Sequence, residues 1–246
     1  MNLVIDAGNT SVKLATFEAG ALVEVWEGLT EEAAVARCQA LRPAGILLSS
    51  VGPPLPALRE AIRAASDHAH VLTPGTPVPL VNHYETPETL GTDRLAAVVG
   101  AKALYPNDDC LVIDLGTCIT YDFIDQTGNY FGGGISPGLR MRLRAMHSFT
   151  SRLPLLEPPA GADEVGLIGR TTRQAMLSGA VNGTAAELNG LVDAYARQAG
   201  RLRVLVCGGD AAFFETRLKG SIFVVPNLVL IGLNRILQHN LSHPCP

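Results

Sequence analysis

The sequence predicts an α/β protein made of two similarly built lobes, and three observations support this prediction. Apolar runs typical of strands alternate along the chain with stretches of helical period. One six-residue motif occurs twice, at residues 3–8 (LVIDAG) and 111–116 (LVIDLG), with five of its six residues identical. The chain has 246 residues, enough for two modest domains that each bury a core.

Each copy of the motif predicts the first strand and the turn of a β-hairpin. The apolar run ends in Asp-x-Gly, polar residues follow, and a second alternating run begins at residue 12 in one copy and at residue 119 in the other. Strand, glycine-containing turn and strand are typical of a hairpin. Because the hairpin recurs near the middle of the chain, we expect an N-terminal lobe of residues 1–106 and a C-terminal lobe of residues 107–246.

The helices and strands between the two hairpins are predicted from the spacing of apolar residues and from the residues that end each element. Helices are predicted at 31–41, 55–65 and 92–104, and buried strands at 45–51 and 70–72. Thr92 is the expected N-cap of the third helix, which Pro106 closes. Residues 74–91 contain four prolines and no clear period, which predicts a loop.

After the second hairpin, Gly132, Gly133 and Gly134 lie before the turn Ser136-Pro137-Gly138, and this run predicts a flexible loop near the substrate. Helical segments are predicted at 139–149 and 172–199, the latter as one or two helices. A strand at 203–207 ends at Gly208-Gly209-Asp210, where a flat adenine ring could approach the backbone and where a plain strand-to-helix turn is the alternative.

Composition excludes several classes of protein. The net charge of −4 disfavours generic nucleic-acid binding, and no stretch of about 18 uncharged apolar residues is present to span a membrane. The N-terminus has no basic region typical of a secretory signal. The five cysteines are scattered and form no Cys-x-x-Cys pair, which is typical of a reduced setting. We therefore expect a cytoplasmic location.

The first hairpin has the residue types of a phosphate-binding turn. Glycine at position 8 lets successive N–H groups converge on one point, and Asn9, Thr10 and Ser11 add side-chain donors. Lys13 adds a positive charge, and Asp6 could hold Mg²⁺ directly or through water. An ordinary hairpin with a polar turn is the alternative. The second copy favours the phosphate site, because two carboxylates in one cleft require a cation or a nucleotide–metal complex.

Two Asp-x-Gly hairpins and a later Gly-Gly strand end resemble the acetate kinase, sugar kinase, Hsp70 and actin superfamily. Within that superfamily the sequence is most similar to type III pantothenate kinases, over nearly the whole chain. The matching stretches are Asp6-x-Gly8-Asn9-Thr10-x-x-Lys13; Tyr84, followed by Gly91-Thr92-Asp93-Arg94; Asp114-x-Gly116-Thr117-x-x-Thr120-x-Asp122; Gly132-Gly133-x-Ile135-x-Pro137-Gly138; Gly169-Arg170-x-Thr172; Gly208-Gly209-Asp210-Ala211; and Pro226-Asn227-Leu228-Val229-Leu230-x-Gly232-Leu233.

The resemblance implies two ribonuclease H-like lobes, each a mixed β-sheet flanked by helices, with a nucleotide cleft between them. It also implies ATP-dependent phosphorylation of pantothenate to 4′-phosphopantothenate, the first step of coenzyme A biosynthesis. The nucleotide would be bound by Asp6, Ala7, Gly8, Asn9, Thr10, Ser11, Val12, Lys13 and Thr117. Pantothenate would be bound by Tyr84, Gly91, Thr92, Asp93, Arg94 and Thr172.

Carried over from the family, Asp93 would accept the hydroxyl proton and Asp114 would bind a monovalent cation, K⁺ or NH₄⁺, while Mg²⁺ would lie on the phosphates. Asp93 and Arg94 each have a simpler interpretation. Asp93 could be an acidic residue in the capping region of a helix, and Arg94 could be a solvated charge on that helix. The role of Asp122 stays open. The family likeness also implies a homodimer, whose interface completes the pantothenate pocket, with no nucleic-acid or membrane partner.

Two departures from the family pattern are visible. Cys118 follows Thr117 where a small residue such as alanine is usual, and Thr171 beside Thr172 leaves the threonine assignment ambiguous by one residue. Two other functions stay open at this point. One is a different small-molecule kinase of the superfamily or a phosphatase acting on polyphosphate, and the other is a non-catalytic nucleotide-binding regulator.

Overall fold

A computed structural model describes residues 1–8, 11–161 and 165–242, which form two compact units. The described residues of Met1–Asn107, Gln126–Phe131 and Asn227–Pro246 form unit 1. The described residues of Asp108–Asp125 and Gly132–Pro226 form unit 2. The division therefore differs from the expected halves 1–106 and 107–246, because the C-terminal helix packs within unit 1. Asn9, Thr10 and Cys245 lie outside the described residues.

Eleven strands occur in the described residues. They are β1 (Asn2–Ala7), β2 (Val12–Glu18), β3 (Ala21–Leu29), β4 (Gly45–Ser50), β5 (Ala69–Val71), β6 (Val81–Asn82), β7 (Asp109–Leu115), β8 (Cys118–Ile124), β9 (Asn129–Pro137), β10 (Leu202–Cys207) and β11 (Ile222–Val224). Seven α-helices accompany them in the same part of the chain. They are α1 (Glu31–Leu41), α2 (Pro56–Ala65), α3 (Thr92–Leu104), α4 (Leu139–Ser148), α5 (Thr172–Ala196), α6 (Ala211–Phe214) and α7 (Leu228–Ser242).

Unit 1 is built on a mixed sheet of order β3-β2-β1-β4-β5. Strand β1 pairs antiparallel with β2 and parallel with β4. Both faces of this sheet are covered, because successive side chains of β1 point in opposite directions and Leu3, Val4 and Ile5 are all apolar and buried. Leu3 and Ile5 are buried in one core cluster with α1 and α2, whereas Val4 is buried in another with α3 and α7.

Helices α3 and α7 touch through their backbones. A Cβ at Gly232 would overlap the carbonyl oxygen of Ala96, and a Cβ at Gly100 would overlap that of Leu228. Glycine is needed at both positions because any side chain would push the two helices apart. This contact explains why the C-terminal helix belongs to unit 1, and it fixes the helix that begins at the predicted substrate segment.

Unit 2 repeats the strand order of unit 1. The second sheet runs β11-β10-β7-β8-β9-β6, and its first five strands repeat the order, with β7 antiparallel to β8 and parallel to β10, as β1 is to β2 and β4. The short strand β6 pairs parallel with Asn129 and Tyr130 of β9. The core of unit 2 is formed by apolar residues of β7, α4 and α5 together with Phe214. The duplicated motif of the sequence therefore marks the first strand of each of two topologically equivalent sheets, and the predicted α/β class is confirmed.

Three local predictions need correction. Thr92 is the first residue of α3 and Gly91 is the N-cap. Gly132–Gly134 is not a loop but part of strand β9, where a Cβ at Gly133 would overlap the Tyr121 carbonyl oxygen. The predicted loop of residues 74–91 contains the short strand β6. The sequence did not predict β3, β11 or α7. Among the described residues, no helix combines the length and the apolar character needed to cross a membrane.

Candidate active site

The first hairpin places Asp6 opposite Lys13 at the end of the β1–β2 ladder. Beyond this pair the Gly8 N–H donates to the Ser11 carbonyl oxygen at 3.1 Å, which closes the turn. Ala7 and Val12 are buried beneath it. The hairpin thus presents Asp6 and Lys13 at one strand end, and the predicted donors Asn9 and Thr10 lie outside the described residues.

Lys13 is engaged in an ion pair with Glu27 at 3.0 Å. Both side chains are partly exposed, at 30% and 54%. An exposed pair of this kind contributes about 0–1 kcal/mol, so a phosphate group can replace Glu27 at little cost. The ion pair holds the ammonium group against β3, the strand next to the hairpin.

A hydrogen bond connects the end of β4 with the start of α3. Ser49 is paired with Asp6 in the β1–β4 register, and its Oγ lies 2.9 Å from the Thr92 Oγ1. Ser49 has no exposed surface. The first hairpin and the substrate segment are therefore neighbours within unit 1, although 86 residues separate Asp6 from Thr92 in the sequence.

Asp93 lies in the first turn of α3 and is partly buried. Its Oδ1 accepts a hydrogen bond from the Arg94 N–H at 2.8 Å. A Cβ at Gly91 would overlap the same oxygen, so the carboxylate fills space that only glycine leaves open. The geometry explains the Gly-x-Asp spacing, since the N-cap residue has to be small for the carboxylate to fold back over it.

Arg94 is not the solvated helix charge of the simpler interpretation, because only 6% of it is exposed. Its guanidinium lies over the Tyr84 ring, 5.5 Å from the centroid. Tyr84 in turn stacks with the fully buried Tyr130, with centroids 6.4 Å apart. Two predicted pantothenate contacts, Tyr84 and Arg94, are therefore in direct contact in unit 1.

The second hairpin is closed by a hydrogen bond from the Gly116 N–H to the Cys118 carbonyl oxygen at 3.0 Å. Thr117, at the tip of this turn, is exposed. The turn packs against the start of α4, because a Cβ at Gly138 would overlap the carbonyl oxygens of Gly116 and Thr117. The N-terminus of α4 thus lies beside this turn, where its partial positive charge favours an anion.

A third glycine motif lies against the same hairpin. Gly208 has a φ of +91°, and a Cβ there would overlap the Asp114 Oδ1 and the Leu115 carbonyl oxygen. The Asp210 N–H donates to that Leu115 oxygen at 2.9 Å. The predicted cation ligand and the predicted adenosine segment therefore lie in contact within unit 2.

Asp210 lies in a partly buried position at the start of α6. Burial raises the pKa of its carboxyl above the usual value, and the charge of Arg140 partly opposes that rise. Arg140 itself is ion-paired with Glu157. Burial therefore disfavours the charged form of Asp210 at this turn.

The structure separates the roles of Thr171 and Thr172. Thr171 is the N-cap of α5, and its hydroxyl accepts the Gln174 N–H at 3.2 Å. Thr172 is the first helical residue and is exposed. Because the cap occupies the Thr171 hydroxyl, Thr172 is the better candidate for a substrate contact, although the contact itself is a prediction.

Sequence reasoning missed Ser49, Tyr130 and the contact role of Gly138. Ser49 could have been found from its position, because it lies at the carboxyl end of a buried strand, the edge at which α/β sheets bind ligands. Tyr130 and Gly138 gave no such signal, since their contacts join segments far apart in the chain.

Two α/β units of one strand order, each with an Asp-x-Gly hairpin at its first strand, define a protein of the acetate kinase, sugar kinase, Hsp70 and actin class. Solved structures agree on the fold. A Campylobacter jejuni protein described as a conserved Baf family transcriptional activator has a TM-score of 0.60 at 20% identity, covering 98% of this chain and 99% of that one. Component A of (R)-2-hydroxyglutaryl-CoA dehydratase from Acidaminococcus fermentans has a TM-score of 0.52 at 14% identity, covering 96% of both chains.

The chain belongs to the type III pantothenate kinase family, whose family model matches residues 2–194. A type III pantothenate kinase of Phocaeicola vulgatus is 43% identical over 242 residues, covering 98% of this chain and 99% of that protein. The corresponding protein of Porphyromonas gingivalis is 40% identical over 243 residues, with the same coverage. The family function is phosphorylation of pantothenate in coenzyme A biosynthesis, and the sequence-based prediction of family, fold and activity is confirmed.

Proposed function

We propose that this chain phosphorylates pantothenate with ATP through the residues that the two hairpins and α3 place at its sites. The Ser49–Thr92 hydrogen bond carries the proposal for unit 1, because it joins the first phosphate hairpin to the helix turn that holds Asp93. A nucleotide-binding turn and a candidate acceptor for the hydroxyl proton are thereby held in one rigid environment.

Asp93 accepts the hydrogen bond of the pantothenate hydroxyl and takes up its proton as the phosphoryl group is transferred. The Arg94 N–H donates to the Oδ1 of this carboxylate and helps to hold it in position. Phosphoryl transfer has a loose transition state, so alignment of the hydroxyl contributes more than early removal of its proton. Tyr84 and Arg94 form a wall beside this group. Thr172 is a further candidate for a pantothenate contact.

ATP is bound by the hairpin of residues 6–13 and by Thr117. The start of α4, next to the second turn, favours phosphate oxygens through its N–H groups. Lys13 exchanges Glu27 for a phosphate. The backbone beside Gly208 and Gly209 accepts the adenosine portion. Since ATP and the coenzyme A precursors are cytoplasmic metabolites, we place the reaction in the cytoplasm.

The donor set of the site fits the two expected cations. Among the described residues, no group of three or more His, Cys, Asp or Glu could hold a metal ion. Mg²⁺ needs only one or two carboxylates when phosphates supply the other ligands, and Asp6 fits that role. Oxygens of Asp114 and Leu115 both lie beside Gly208, and oxygen donors of this kind suit K⁺ or NH₄⁺. Such cations neutralise phosphate charge.

A homodimer is supported by one face of α5. Small exposed residues recur there with a spacing of three or four, namely Ala175, Gly179, Gly183, Ala186 and Gly190. Leu167 and Ile168, whose segment contacts the same helix, are 80% and 82% exposed. Small residues let two helices approach closely, and exposed apolar side chains favour burial. Light scattering of the purified protein tests the dimer.

The kinase activity is tested by coupled detection of ADP with purified protein, ATP, Mg²⁺ and K⁺. We expect turnover that depends on pantothenate and stops when it is omitted. A panel of sugars and hydroxy acids as acceptors separates this activity from that of another superfamily kinase. Nucleotide binding without turnover on any acceptor would instead identify a non-catalytic regulator.

A further inference from the structure

Arg142, the fourth residue of α4, directs its side chain back over the start of its own helix. Helical side chains tilt toward the N-terminus, which makes this contact possible. The guanidinium Nε donates a hydrogen bond to the Pro137 carbonyl oxygen at 2.8 Å, and Nη2 donates to the Ser136 hydroxyl at 3.2 Å. Arg142 therefore holds the last two residues of β9, directly before the Gly138 N-cap.

The same guanidinium is also held by α5. Its Nη2 forms an ion pair with Glu187 of that helix. The two side chains are 21% and 30% exposed, so this pair is better shielded from solvent than the Arg140–Glu157 pair of the same unit. A planar guanidinium donates in several directions at once, so it can join a backbone oxygen, a hydroxyl and a carboxylate. Arg142 thus ties the start of α4 to α5.

The Pro137 carbonyl belongs to the peptide unit that contacts the turn of the second hairpin. The Gly138 N–H of this unit donates to the Thr117 carbonyl oxygen at 3.2 Å. Because a peptide unit is planar, fixing its oxygen also fixes the direction of its N–H. The approach is close, since a Cβ at Gly138 would lie 2.3 Å from the Gly116 oxygen and 2.5 Å from the Thr117 oxygen. One peptide unit therefore connects the Arg142 guanidinium with the turn that contains Thr117.

We propose that Arg142 is a positioning residue for nucleotide binding, which acts on Thr117 through the Pro137–Gly138 peptide unit. The proposal rests on the proposed function, in which Thr117 and the start of α4 bind phosphate oxygens of ATP. Without the arginine the peptide unit can rotate, and the N–H groups at the start of α4 lose their fixed direction together with the turn. Phosphate binding depends on donors that converge on one point, so a small displacement weakens several contacts at once. Arg142 itself needs no contact with the nucleotide.

The test compares the Michaelis constants for the two substrates in the whole chain. In Arg142→Gln we expect KM for ATP to rise about tenfold while KM for pantothenate stays within about twofold, because the bonds of Arg142 lead to the turn of Thr117. Glu187→Gln keeps the size of the side chain and should give a smaller change in the same direction. Combining both substitutions should cost scarcely more than Arg142→Gln alone, as expected for partners of one interaction. Arg144→Gln removes an equal charge from an exposed position of α4 and should leave both constants unchanged.

A purely structural role of Arg142 gives a different result. It lowers the melting temperature and the active fraction, and therefore kcat, while both Michaelis constants stay unchanged. That result, or equal rises in both constants, overturns the proposal and leaves the kinase activity in place. If Arg142→Gln does not fold, as judged by circular dichroism, Arg142→Lys gives the same comparison with a smaller expected rise, because a single ammonium group cannot replace the planar fork.

Calorimetric titration with the non-hydrolysable β,γ-imido analogue of ATP gives a readout that needs no turnover. Its Kd should rise about tenfold in Arg142→Gln and stay unchanged in Arg144→Gln. An unchanged Kd in Arg142→Gln overturns the positioning role. Absence of pantothenate turnover in the unmodified protein overturns the proposed function itself, whereas the titration still tests Arg142.

Discussion

The hydroxyl oxygens of Ser49 and Thr92 lie 2.9 Å apart, although 43 residues separate them in the sequence. Ser49 is completely buried at the end of β4, and Thr92 begins α3. A buried hydroxyl without a partner costs about 1–3 kcal/mol, so the bond constrains where α3 can start. The bond therefore influences the position of Asp93, the next residue, by fixing the first turn of α3. It does not require a contact with the substrate.

Replacing Ser49 by alanine should lower kcat by about tenfold while KM for ATP changes little, because the effect is on the alignment of Asp93. Thr92→Ser keeps the hydroxyl and should retain most of the activity. Combining Ser49→Ala with Thr92→Ala should cost scarcely more than either change alone, as expected for two partners of one interaction. Steady-state kinetics of these variants measure the coupling, and strictly additive losses would argue against it.

Asp93 should be the most sensitive position of unit 1. We expect Asp93→Asn to lower kcat by roughly 10²-fold or more, the usual scale for a positioned acid–base group. Asp67→Asn, at an exposed position before β5, is the matched control and should have no effect. Thermal unfolding of both variants verifies that the fold is retained. Full activity of Asp93→Asn would remove Asp93 from the mechanism.

Gly91 should tolerate no side chain, because a Cβ at this position would overlap the Asp93 Oδ1. Gly91→Ala is therefore expected to displace the carboxylate and to lower kcat by about tenfold or more. Gly75→Ala serves as the control, since nothing lies within 4 Å of a Cβ at that position. Equal kinetics for the two variants would show that the carboxylate does not need its present position.

The sequence predicted the repeated hairpin, most helices and the α/β class because these depend on local period and on short motifs. Contacts between distant segments were not accessible in the same way. The strand identity of Gly132–Gly134 was missed because three glycines are typical of a loop, whereas Gly133 is needed for close approach to Tyr121. The sequence of α7 resembles a family motif but did not predict a helix, although Gly232 within it packs on α3.

The assignment of candidate residues shows the same limit. Asp6, Asp93 and Asp114 could be named from motifs, but the contacts of Asp93 with Gly91 and of Asp114 with Gly208 required coordinates.

Gly208 should control cation binding at Asp114. Its φ of +91° is strained for any other residue, and a Cβ would overlap the Asp114 Oδ1. Gly208→Ala is therefore expected to lower the melting temperature and to raise the K⁺ concentration for half-maximal activity severalfold. Gly209→Ala is the adjacent control, because nothing lies within 4 Å of a Cβ there. If a folded Gly208→Ala variant has the same K⁺ concentration for half-maximal activity as the wild type, Asp114 does not bind the cation.

Cys38 should make the folded protein sensitive to alkaline pH. Burial raises the pKa of its thiol from 9.0 to about 11, because the apolar cluster beneath α1 disfavours the thiolate. Between these values the unfolded chain loses the proton that the folded chain keeps. The free energy of unfolding therefore falls as pH rises from about 9 to about 11, by on the order of 3 kcal/mol.

The comparison of wild type with Cys38→Ala isolates this contribution from those of the other cysteines. The alanine variant has no proton to lose at this position, so its free energy of unfolding should decline less steeply above pH 9. Urea titrations at several pH values between 8 and 11 give both curves. The difference between them should be constant below pH 9 and shrink above it, whereas parallel curves across the whole range would show that the Cys38 thiol does not titrate as its burial requires.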